Sequence, residues 1–300
     1  MDTQTLYIVG NGFDLHHGLP IQYKHFKAFL KNVDREVFDW VDGYVPAEDN
    51  WSDLELSLAC LDTDTVVSDL EGFLTSYSDE NWSDAGHHDF QYEVDRVATD
   101  LSQTLQSRFG DWIRSIVIPD HNSVQRLLST LDRSALFLNF NYTCTLNRFY
   151  NVSSENVLYI HGEGSDPSSE LILGHAWTPD KRTSLQKGLD QESADQRVIE
   201  AFGVLDDYFE QTFKPSEQII KLNADFFSGL RSVTHVTVLG HSLSVVDKAY
   251  FLAVVEALKG RSVIWTLAVR SHDEDPGKFQ CLGDFGVPRE QICCKLWSDL

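Results

Sequence analysis

The sequence predicts an α/β protein with a Rossmann-like parallel sheet and helical insertions. Short apolar runs such as Leu6–Val9 and Val236–Leu239 have the length and composition of strands that are buried on both faces. Segments between several of these runs carry apolar residues at helical spacing. Strands that alternate with helices in this way indicate a parallel sheet covered by helices.

The individual elements follow from these two patterns. Strands are predicted at 6–9, 135–138, 157–160, 171–173, 236–239 and 262–269. Helices are predicted from 23 to 37, from about 195 to 230 and from 246 to 258. Residues 38–130 carry helical periodicity and no clear strand pattern, and the tail from 273 onward is mixed.

The 300 residues suit one large α/β domain with insertions or two modest domains. We predict a core formed by 1–33 and 131–300, with a helical block near 195–230, and an acidic helical insertion at 34–130. Of the net charge of −22, residues 34–100 contribute −17, from 19 acidic and two basic side chains. Such charge is typical of a solvated face. The alternative is that the insertion meets a trigger protein or a second copy of the chain.

Charge and composition exclude several classes of protein. A net charge of −22 argues against binding nucleic acid or an anionic membrane surface, because both need clustered Lys and Arg. No apolar run approaches the ~18 residues that span a bilayer, and the N-terminus lacks the pattern of a signal peptide. Five cysteines without a CxxC pair fit reduced thiols. We therefore expect a cytoplasmic protein.

Polar residues follow five of the predicted strands, at the edge where parallel sheets bind ligands. The first strand runs into a glycine-rich turn, which lets backbone N–H groups approach a phosphate closely. The five strand ends are Gly10-Asn11-Gly12, Asn139–Thr143, His161-Gly162, Gly174-His175 and Gly240-His241-Ser242. One such end is a plain turn, but five that converge on one edge indicate a binding site.

The chemistry of these residues limits the classes of reaction that the site could catalyse. The group has no lysine or arginine, so phosphates would be held by backbone N–H groups. It has no pair of carboxylates, which argues against ordinary glycoside hydrolysis. Neutral Asn donors and a His suit a leaving group that departs without protonation. NAD⁺ is such a substrate, because its cationic nicotinamide leaves as a neutral molecule and one base suffices to activate water.

At these strand ends the chain resembles Sir2-like NAD-binding proteins. Residues 10–20 resemble the sirtuin opening GAGxSxxxGxP, and Phe140–Thr143 resembles the TNYD of Sir2-like NAD hydrolases. His161-Gly162 resembles their HG, and residues 240–245 resemble their GTSLxV. The resemblance implies a Sir2-like NAD-binding core.

A second resemblance covers more motifs. The chain is similar to the AbiH family of bacteriophage abortive-infection proteins in GNGFDLxHGLP, the Trp51–Glu55 element, FNYT, IHG and GHSLxxxDxxYF. These motifs lie within residues 6–55 and 136–255. The similarity implies a role in the defence of bacteria against phage.

The two resemblances imply roles for individual residues. Asn141 would hold the nicotinamide ribose and the attacking water, and His161 would act as the general base. Asp14 stands where sirtuins keep a Ser, and we expect it to cap a helix and to reach a ribose hydroxyl. The residues implied to contact the phosphates or the adenosine ribose of NAD are Gly10, Asn11, Gly12, Gly240, His241 and Ser242.

Other polar residues are open to two interpretations. His175 has no specific role, and Asp247 is as apt to cap the helix at 246 as to bind a ligand. His16-His17 and His87-His88 lack the spacing of a metal site, so we expect no bound metal.

Two departures from the Sir2 pattern bear on activity. Thr143 replaces the Asp of TNYD, which weakens the case for hydrolysis, and the four zinc cysteines of sirtuins are absent, which argues against protein deacetylation. We expect a defence enzyme that cleaves NAD⁺ to nicotinamide and ADP-ribose and that is triggered through the acidic insertion. The alternatives are a sensor that binds NAD⁺, ADP-ribose or a related nucleotide without cleaving it, and a structural partner in a defence complex.

Overall fold

The computed structural model describes residues 4–74, 88–120, 124, 126–178, 181–189, 194–271 and 275–300. Its strands are β1 (Gln4–Val9), β2 (Leu136–Asn139), β3 (Val157–Tyr159), β4 (Val233–Leu239), β5 (Ile264–Val269) and β6 (Ile292–Leu296). They form one sheet in the order β3-β2-β1-β4-β5-β6, and every neighbouring pair is parallel. This is the strand order of a Rossmann-like sheet, so the predicted fold class is confirmed.

Both faces of the sheet are buried, as the continuous apolar strands predict. Along β1, Leu6 and Ile8 belong to one core, whereas Tyr7 and Val9 belong to the other. Successive side chains of a strand point to opposite faces, so each face needs its own cover. Within the described ranges, no helix combines the length and the apolar character required to cross a membrane. None of the five cysteines forms a disulfide.

Some of the α-helices pack on the sheet, and others pack on one another. The α-helices are α1 (Asn11–His16), α2 (Tyr23–Val33), α3 (Arg35–Tyr44), α4 (Leu54–Ser57), α5 (Thr63–Leu70), α6 (Asp89–Thr99), α7 (Leu105–Ser115), α8 (Thr145–Tyr150), α9 (Gln196–Gln211), α10 (Ser216–Leu222), α11 (Ala224–Gly229), α12 (Lys248–Ala257) and α13 (Asp275–Asp284). A π-helical segment, Asp100–Thr104, joins α6 to α7.

Two predicted helices are divided by local chemistry. The helix expected over 23–37 ends at Val33, because the side chain of Asp34 accepts a hydrogen bond from the Val37 N–H (3.3 Å) and starts α3. The block near 195–230 is three helices, α9 to α11, and Pro215 stands at the start of the second.

Two strand predictions need correction. Residues 171–173 form no strand; the Ile172 N–H donates instead to the His161 carbonyl (2.9 Å) in a loop. The strand β6 was not predicted, because it lies at the sheet edge and its exposed Cys293 and Lys295 interrupt the apolar run.

The chain forms two compact units whose limits differ from the predicted domains. The sheet unit comprises 1–22, 113–172 and 215–300, and the helical unit comprises 23–112 and 173–214. Residues 23–33 and 173–214 were assigned to the core by prediction and belong to the helical unit. Residues 113–130 were assigned to the insertion and belong to the sheet unit. The reason is tertiary: α9 packs against α5 and α6, and the Tyr208 hydroxyl donates to the Leu58 carbonyl (3.0 Å).

Candidate functional site at the carboxyl edge of the sheet

The turn after β1 and the turn after β4 are joined through their backbones. The Gly10 N–H donates to the Leu239 carbonyl (2.9 Å), and the Gly12 N–H donates to the Gly240 carbonyl (2.7 Å). A Cβ atom on Gly12 would lie 2.7 Å from the Gly240 oxygen, and Gly240 itself has a φ of +69°. The close approach of the two turns therefore explains these glycines, and their role toward phosphates stays a prediction.

Asn141 lies where β2 meets this double turn. Its side-chain Nδ2 donates to the Gly10 carbonyl (3.1 Å), and its backbone N–H donates to the Oδ1 of Asn139 (3.1 Å). The Asx turn at this position is thus made by Asn139, while the buried amide of Asn141 crosses to the neighbouring strand end. The fold brings the first two predicted strand ends together.

Asp14 is buried beneath this contact and accepts a hydrogen bond from the Thr143 hydroxyl. The Thr145 hydroxyl lies 2.8 Å from that of Thr143 and extends the polar group. The expected helix-capping role of Asp14 is wrong, because Gly10 occupies the N-cap of α1 and Asp14 lies one turn inside the helix. Within the described residues, the Oδ1 atom of Asp14 has no hydrogen-bond partner.

The environment of Asp14 favours its protonated form. Burial raises the pKa of this carboxyl to about 6, and the polar side chains of Thr143, Thr145 and Asn141 oppose the rise only in part. A carboxyl with a pKa near the physiological range, in a site without a neighbouring cation, is typical of functional positions.

A second carboxyl, Asp247, lies between two histidines. Its Oδ1 is 3.5 Å from the Nε2 of His161, and its Oδ2 is 3.3 Å from the Nε2 of His241. The Nδ1 of His241 accepts a hydrogen bond from the Leu243 N–H (2.9 Å), so the proton of a neutral His241 lies on Nε2, facing Asp247. The three side chains, which come from the ends of β3 and β4 and the start of α12, are here called the His–Asp–His cluster.

Aromatic rings surround this cluster. The Phe140 ring meets the rings of His161 and His241 edge-on, with centroids 5.3 Å and 4.4 Å apart. The Tyr250 ring lies 5.4 Å from that of His161. All three residues of the cluster are buried, and apolar walls of this kind strengthen the interaction between a carboxylate and an imidazole.

Three residues of the predicted strand ends take no part in the contacts described above. Asn11 is exposed, and its side chain donates to the Ile21 carbonyl (3.2 Å); Ser242 is also exposed. His175 belongs to the helical unit, where its Nδ1 accepts from the Trp177 N–H (3.1 Å) and its Nε2 donates to the Phe209 carbonyl (3.1 Å). Burial lowers the pKa of His175 to about 4, as expected for a neutral core histidine.

Sequence reasoning left two residues unassigned. Asp247 occupies the N-cap of α12, but its carboxylate makes no capping hydrogen bond and faces the histidines instead. Arg270 directly follows β5, whose end carries no Gly, Asn or His of the kind that marks the other strand ends. The signal was present, since Val269 ends a predicted strand and Arg270 comes next.

Among the described residues, no group of three or more His, Cys, Asp or Glu side chains is arranged to hold a metal ion. His87 lies outside the described residues. His17 is held in the core of the sheet unit: its Nδ1 donates to the Phe13 carbonyl (2.7 Å), and its Nε2 lies 2.7 Å from the Tyr150 hydroxyl.

The fold and the site define an α/β protein with a Rossmann-like sheet and polar, titratable side chains at its carboxyl edge. The family model described as "Bacteriophage abortive infection AbiH" matches residues 6–269. The chain therefore belongs to the AbiH family, and this membership implies a role in abortive infection, a defence against phage. Comparisons with curated proteins and with solved structures gave no match.

Proposed function

We propose that this AbiH protein defends bacteria against phage by cleaving NAD⁺ to nicotinamide and ADP-ribose. The observation that carries the proposal is the pairing of buried His161 with Asp247 on the same sheet edge as Asn141. This arrangement supplies a base and a neutral hydrogen-bond donor, which are the groups that hydrolysis of a cationic N-glycoside requires.

The reaction needs one proton acceptor. The bond between C1′ of the ribose and the nicotinamide nitrogen breaks, and its electron pair neutralises the pyridinium ring. The oxygen of a water molecule bonds to C1′, and His161 takes the proton of that water. No acid is needed for the leaving group, because nicotinamide departs as a neutral molecule.

Asp247 makes His161 a better base. The Nε2 atom of His161 lies 3.5 Å from the Asp247 carboxylate. In the proposed tautomer this nitrogen carries the proton and Nδ1 is the basic nitrogen, and the imidazolium formed on proton transfer is stabilised by the adjacent negative charge. His241 presents its Nε2–H to the other oxygen of Asp247 and holds the carboxylate in place. Asp247 and His241 are positioning residues in this proposal.

Asn141 orients the ribose. Its amide has two N–H donors and one oxygen, so it can keep its contact with the Gly10 carbonyl and still bind a ribose hydroxyl. Neutral donors suit this position, because a lysine or arginine would repel the developing oxocarbenium ion.

The residues at positions 14 and 143, which both differ from the Sir2 pattern, support the proposal jointly. Asp14 stands where sirtuins keep a Ser, Thr143 stands where Sir2-like hydrolases keep an Asp, and the two side chains are hydrogen-bonded to each other. Relative to the Sir2 pattern, the carboxyl is at position 14 instead of 143 and the hydroxyl is at 143 instead of 14. The two groups are in contact in this chain, so the pair is retained. The chemical loss that Thr143 suggested in the sequence is compensated by Asp14.

A sensor without catalysis is the second candidate. Its support is that the carboxyl at this site belongs to Asp14 on α1 and is buried, whereas the turn after β2 carries the hydroxyl of Thr143 in the place of an Asp.

The test is NAD⁺ cleavage by the wild-type protein and by His161→Ala and Asn141→Ala variants. We expect nicotinamide and ADP-ribose from the wild type, and a loss of about 100- to 10,000-fold in each variant, the size of a missing general base or orienting group. His235→Ala is the matched control, because His235 lies near the amino end of β4 and should leave the rate unchanged.

Cellular NAD⁺ measured during phage infection covers the case of an enzyme that requires a trigger. Depletion in cells with the wild type, relieved by both variants, supports the proposal. Unchanged NAD⁺ in infected, protected cells contradicts it, and calorimetric binding of NAD⁺ without cleavage would establish the sensor.

A further inference from the structure

The helix α12 is apolar on nearly all of its sides. Of its ten residues, only Lys248 and Glu256 carry a charge. Its buried residues Tyr250, Phe251 and Val254 belong to the core on one face of the sheet. A helix at the surface of a globular protein normally presents polar residues on its outer side, whereas a helix that is apolar all round is typical of one that is covered on both sides. The composition of α12 therefore favours a partner for its outer side.

The outer side of α12 is exposed in the single chain. Leu252, near the middle of the helix, is 43% exposed, and Val245, in the 3₁₀ turn that leads into the helix, is 57% exposed. Ala249 and Ala253 are partly exposed. Residues spaced by three or four positions share one face of a helix, so these four side chains form a row, here called the α12 stripe. Single exposed apolar side chains are ordinary, but adjacent ones are typical of an interaction surface.

The two charges of α12 are placed symmetrically on this face. Lys248 lies four residues before Leu252 and Glu256 lies four residues after it, and both are exposed. The contact of Glu256 with Lys259 (3.1 Å) lies in solvent, where such a pair contributes little and can be exchanged for another. Opposite charges at equal distances from a central residue make the face complementary to itself. A second copy, turned by 180° about an axis at Leu252, would present an acidic group to Lys248 and a basic group to Glu256.

We propose that the α12 stripe binds the same stripe of a second copy of this chain, so that the protein forms a two-fold symmetric dimer through antiparallel α12 helices. Leu252 packs on Leu252 of the partner subunit, and the small side chains of Ala249 and Ala253 let the two helices approach closely. Lys248 pairs with Glu256 of the partner subunit, and the symmetry repeats this pair on the other side of the axis.

The proposal does not depend on NAD⁺ cleavage, and it assigns the contact to the sheet unit, where α12 lies. One pair of helices buries an area at the low end of specific interfaces, about 1,200 Å² or less in total. We therefore expect a reversible dimer with a Kd of about 1–100 μM rather than a permanent one.

The first test is sedimentation equilibrium of the full chain at about 1 to 200 μM, a range that spans the expected Kd. Leu252→Asp should weaken the dimer at least about tenfold, because it places two carboxylates beside the symmetry axis. The variant should fold normally, since Leu252 is already exposed in the single chain, and circular dichroism checks this. Val117→Asp is the matched control, because Val117 is 84% exposed in the sheet unit outside the stripe, and it should dimerise as the wild type does.

The second test exchanges the charges. Lys248→Glu and Glu256→Lys should each weaken the dimer about tenfold or more, because each places like charges opposite one another. The double variant should recover the wild-type Kd to within about threefold. Eight residues of helix separate the two positions by about 12 Å, so a direct pair within one chain cannot explain the recovery. Arg133→Glu, which changes the charge of an exposed residue by the same amount, is the control and should leave the dimer intact.

Recovery in the double variant, with loss in both single variants and in Leu252→Asp, supports the proposal. A wild-type chain that is monomeric over the whole concentration range overturns it. An assembly that Leu252→Asp leaves unchanged also overturns it, because the contact then lies elsewhere. Loss in the single variants without recovery in the double variant excludes the antiparallel pairing and overturns the proposal as well.

Discussion

The sheet unit and the helical unit differ in how much charge they carry. The sheet unit has 18 acidic and 13 basic residues, for a net charge of −5, whereas the helical unit has 28 acidic and 11 basic residues, for a net charge of −17. The acidity that the whole chain shows is thus a property of the helical unit. The sheet unit is close enough to neutral to accept an anionic ligand.

The two units also differ in what their buried charges face. In the helical unit, the fully buried ammonium of Lys214 lies 2.8 Å from Glu55, whose other oxygen accepts from the Tyr23 hydroxyl (2.6 Å). Buried Arg197 likewise pairs with Asp195 (2.7 Å). The Trp51–Glu55 element, which the AbiH resemblance includes, thus serves an ion pair inside the helical unit.

In the sheet unit, Asp14 faces hydroxyl groups and Asp247 faces imidazoles. Burial of a charge is costly unless partners compensate it, and carboxyls with shifted pKa values are common at functional positions. The comparison shows that the buried charges of the helical unit face opposite charges, whereas the two buried carboxyls of the sheet unit face hydroxyls and imidazoles.

The largest expected effect tests the helical side of this comparison. Glu55→Gln leaves the Lys214 ammonium buried without its carboxylate, which should lower the free energy of unfolding by about 3–5 kcal/mol. Urea denaturation measures the change. Asp42→Asn is the control, because it breaks the more exposed pair with Lys27 (2.6 Å) and should cost no more than about 1 kcal/mol. Equal losses in the two variants would break the comparison.

The next effect concerns Asp14 and its dependence on pH. The folded pKa of about 6 lies above the ordinary 3.8, so the folded state retains the proton between these values. The stabilisation by protonated Asp14 is complete below pH ~4 and is lost as the pH rises through 6. Asp14→Asn, which cannot ionise, should therefore gain about 3 kcal/mol on the wild type between pH 4 and pH 7, at about 1.4 kcal/mol per pKa unit.

Urea denaturation of both proteins at pH 4 and pH 7 checks this prediction. Histidines whose pKa is lowered, such as His17 and His175, are shared by both proteins and cancel in the difference. Asp225→Asn removes an exposed carboxylate of the same unit and should show no comparable change with pH. A difference between Asp14→Asn and the wild type that stays constant with pH would refute the proposed environment of Asp14.

A smaller effect is expected at Asp247. Asp247→Asn should slow NAD⁺ cleavage by about 100-fold, because the imidazolium of His161 loses its negative partner. The acidic limb of the pH–rate profile, which reports the general base, should move, and a purely structural residue would not cause this shift. Asp247→Glu should restore part of the rate. If Asp247→Asn keeps the full rate and an unchanged pH–rate profile, Asp247 has only a structural role at the start of α12 and does not act on His161.

The smallest effect on stability is expected on the acidic surface of the helical unit. Reversing the exposed charges of Asp49, Glu71 and Asp95 to Lys should change the unfolding free energy by less than about 0.5 kcal/mol per site. If this surface meets a trigger or a second copy, the same variant should alter the oligomeric state measured by light scattering or the toxicity of expression. If neither the oligomeric state nor the toxicity changes, the acidic surface has no role in triggering or assembly.

Much of the fold was predictable because the relevant signals are local. The apolar runs of β1, β2, β4 and β5 are short and continuous, so their strands were placed within one to three residues of where they lie. The edge strand β6 was not found, since exposed Cys293 and Lys295 hide its pattern. The run at 171–173 was wrongly predicted as a strand, because its apolar residues resemble those of a buried strand. Leu171 and Leu173 are indeed buried, but they lie in a loop.

The candidate site was predictable in part. Asn141, His161, His241 and the glycines of two turns were proposed because each stands within three residues of the end of a strand, and parallel strands end at one edge. The structure brings Asn141 and the two glycine turns into contact. Asp247 was ambiguous, because a helix cap and a partner of two histidines need the same residue type at the same place. The contact of Asp14 with Thr143 spans 129 positions and has no local signal.

The sequence by itself determined the fold class, the edge of the sheet that carries the polar residues and the resemblance to AbiH. These signals are local, because the spacing of apolar residues and the residue types at strand ends can be read from short stretches of the chain. Only the tertiary structure decided which segments form each unit, which carboxyl lies between the histidines and which face of α12 is left exposed. Those properties depend on distances between residues that are far apart in the chain. Burial changes the pKa of a carboxyl, or the cost of a lysine's charge, only once folding has brought such residues into contact.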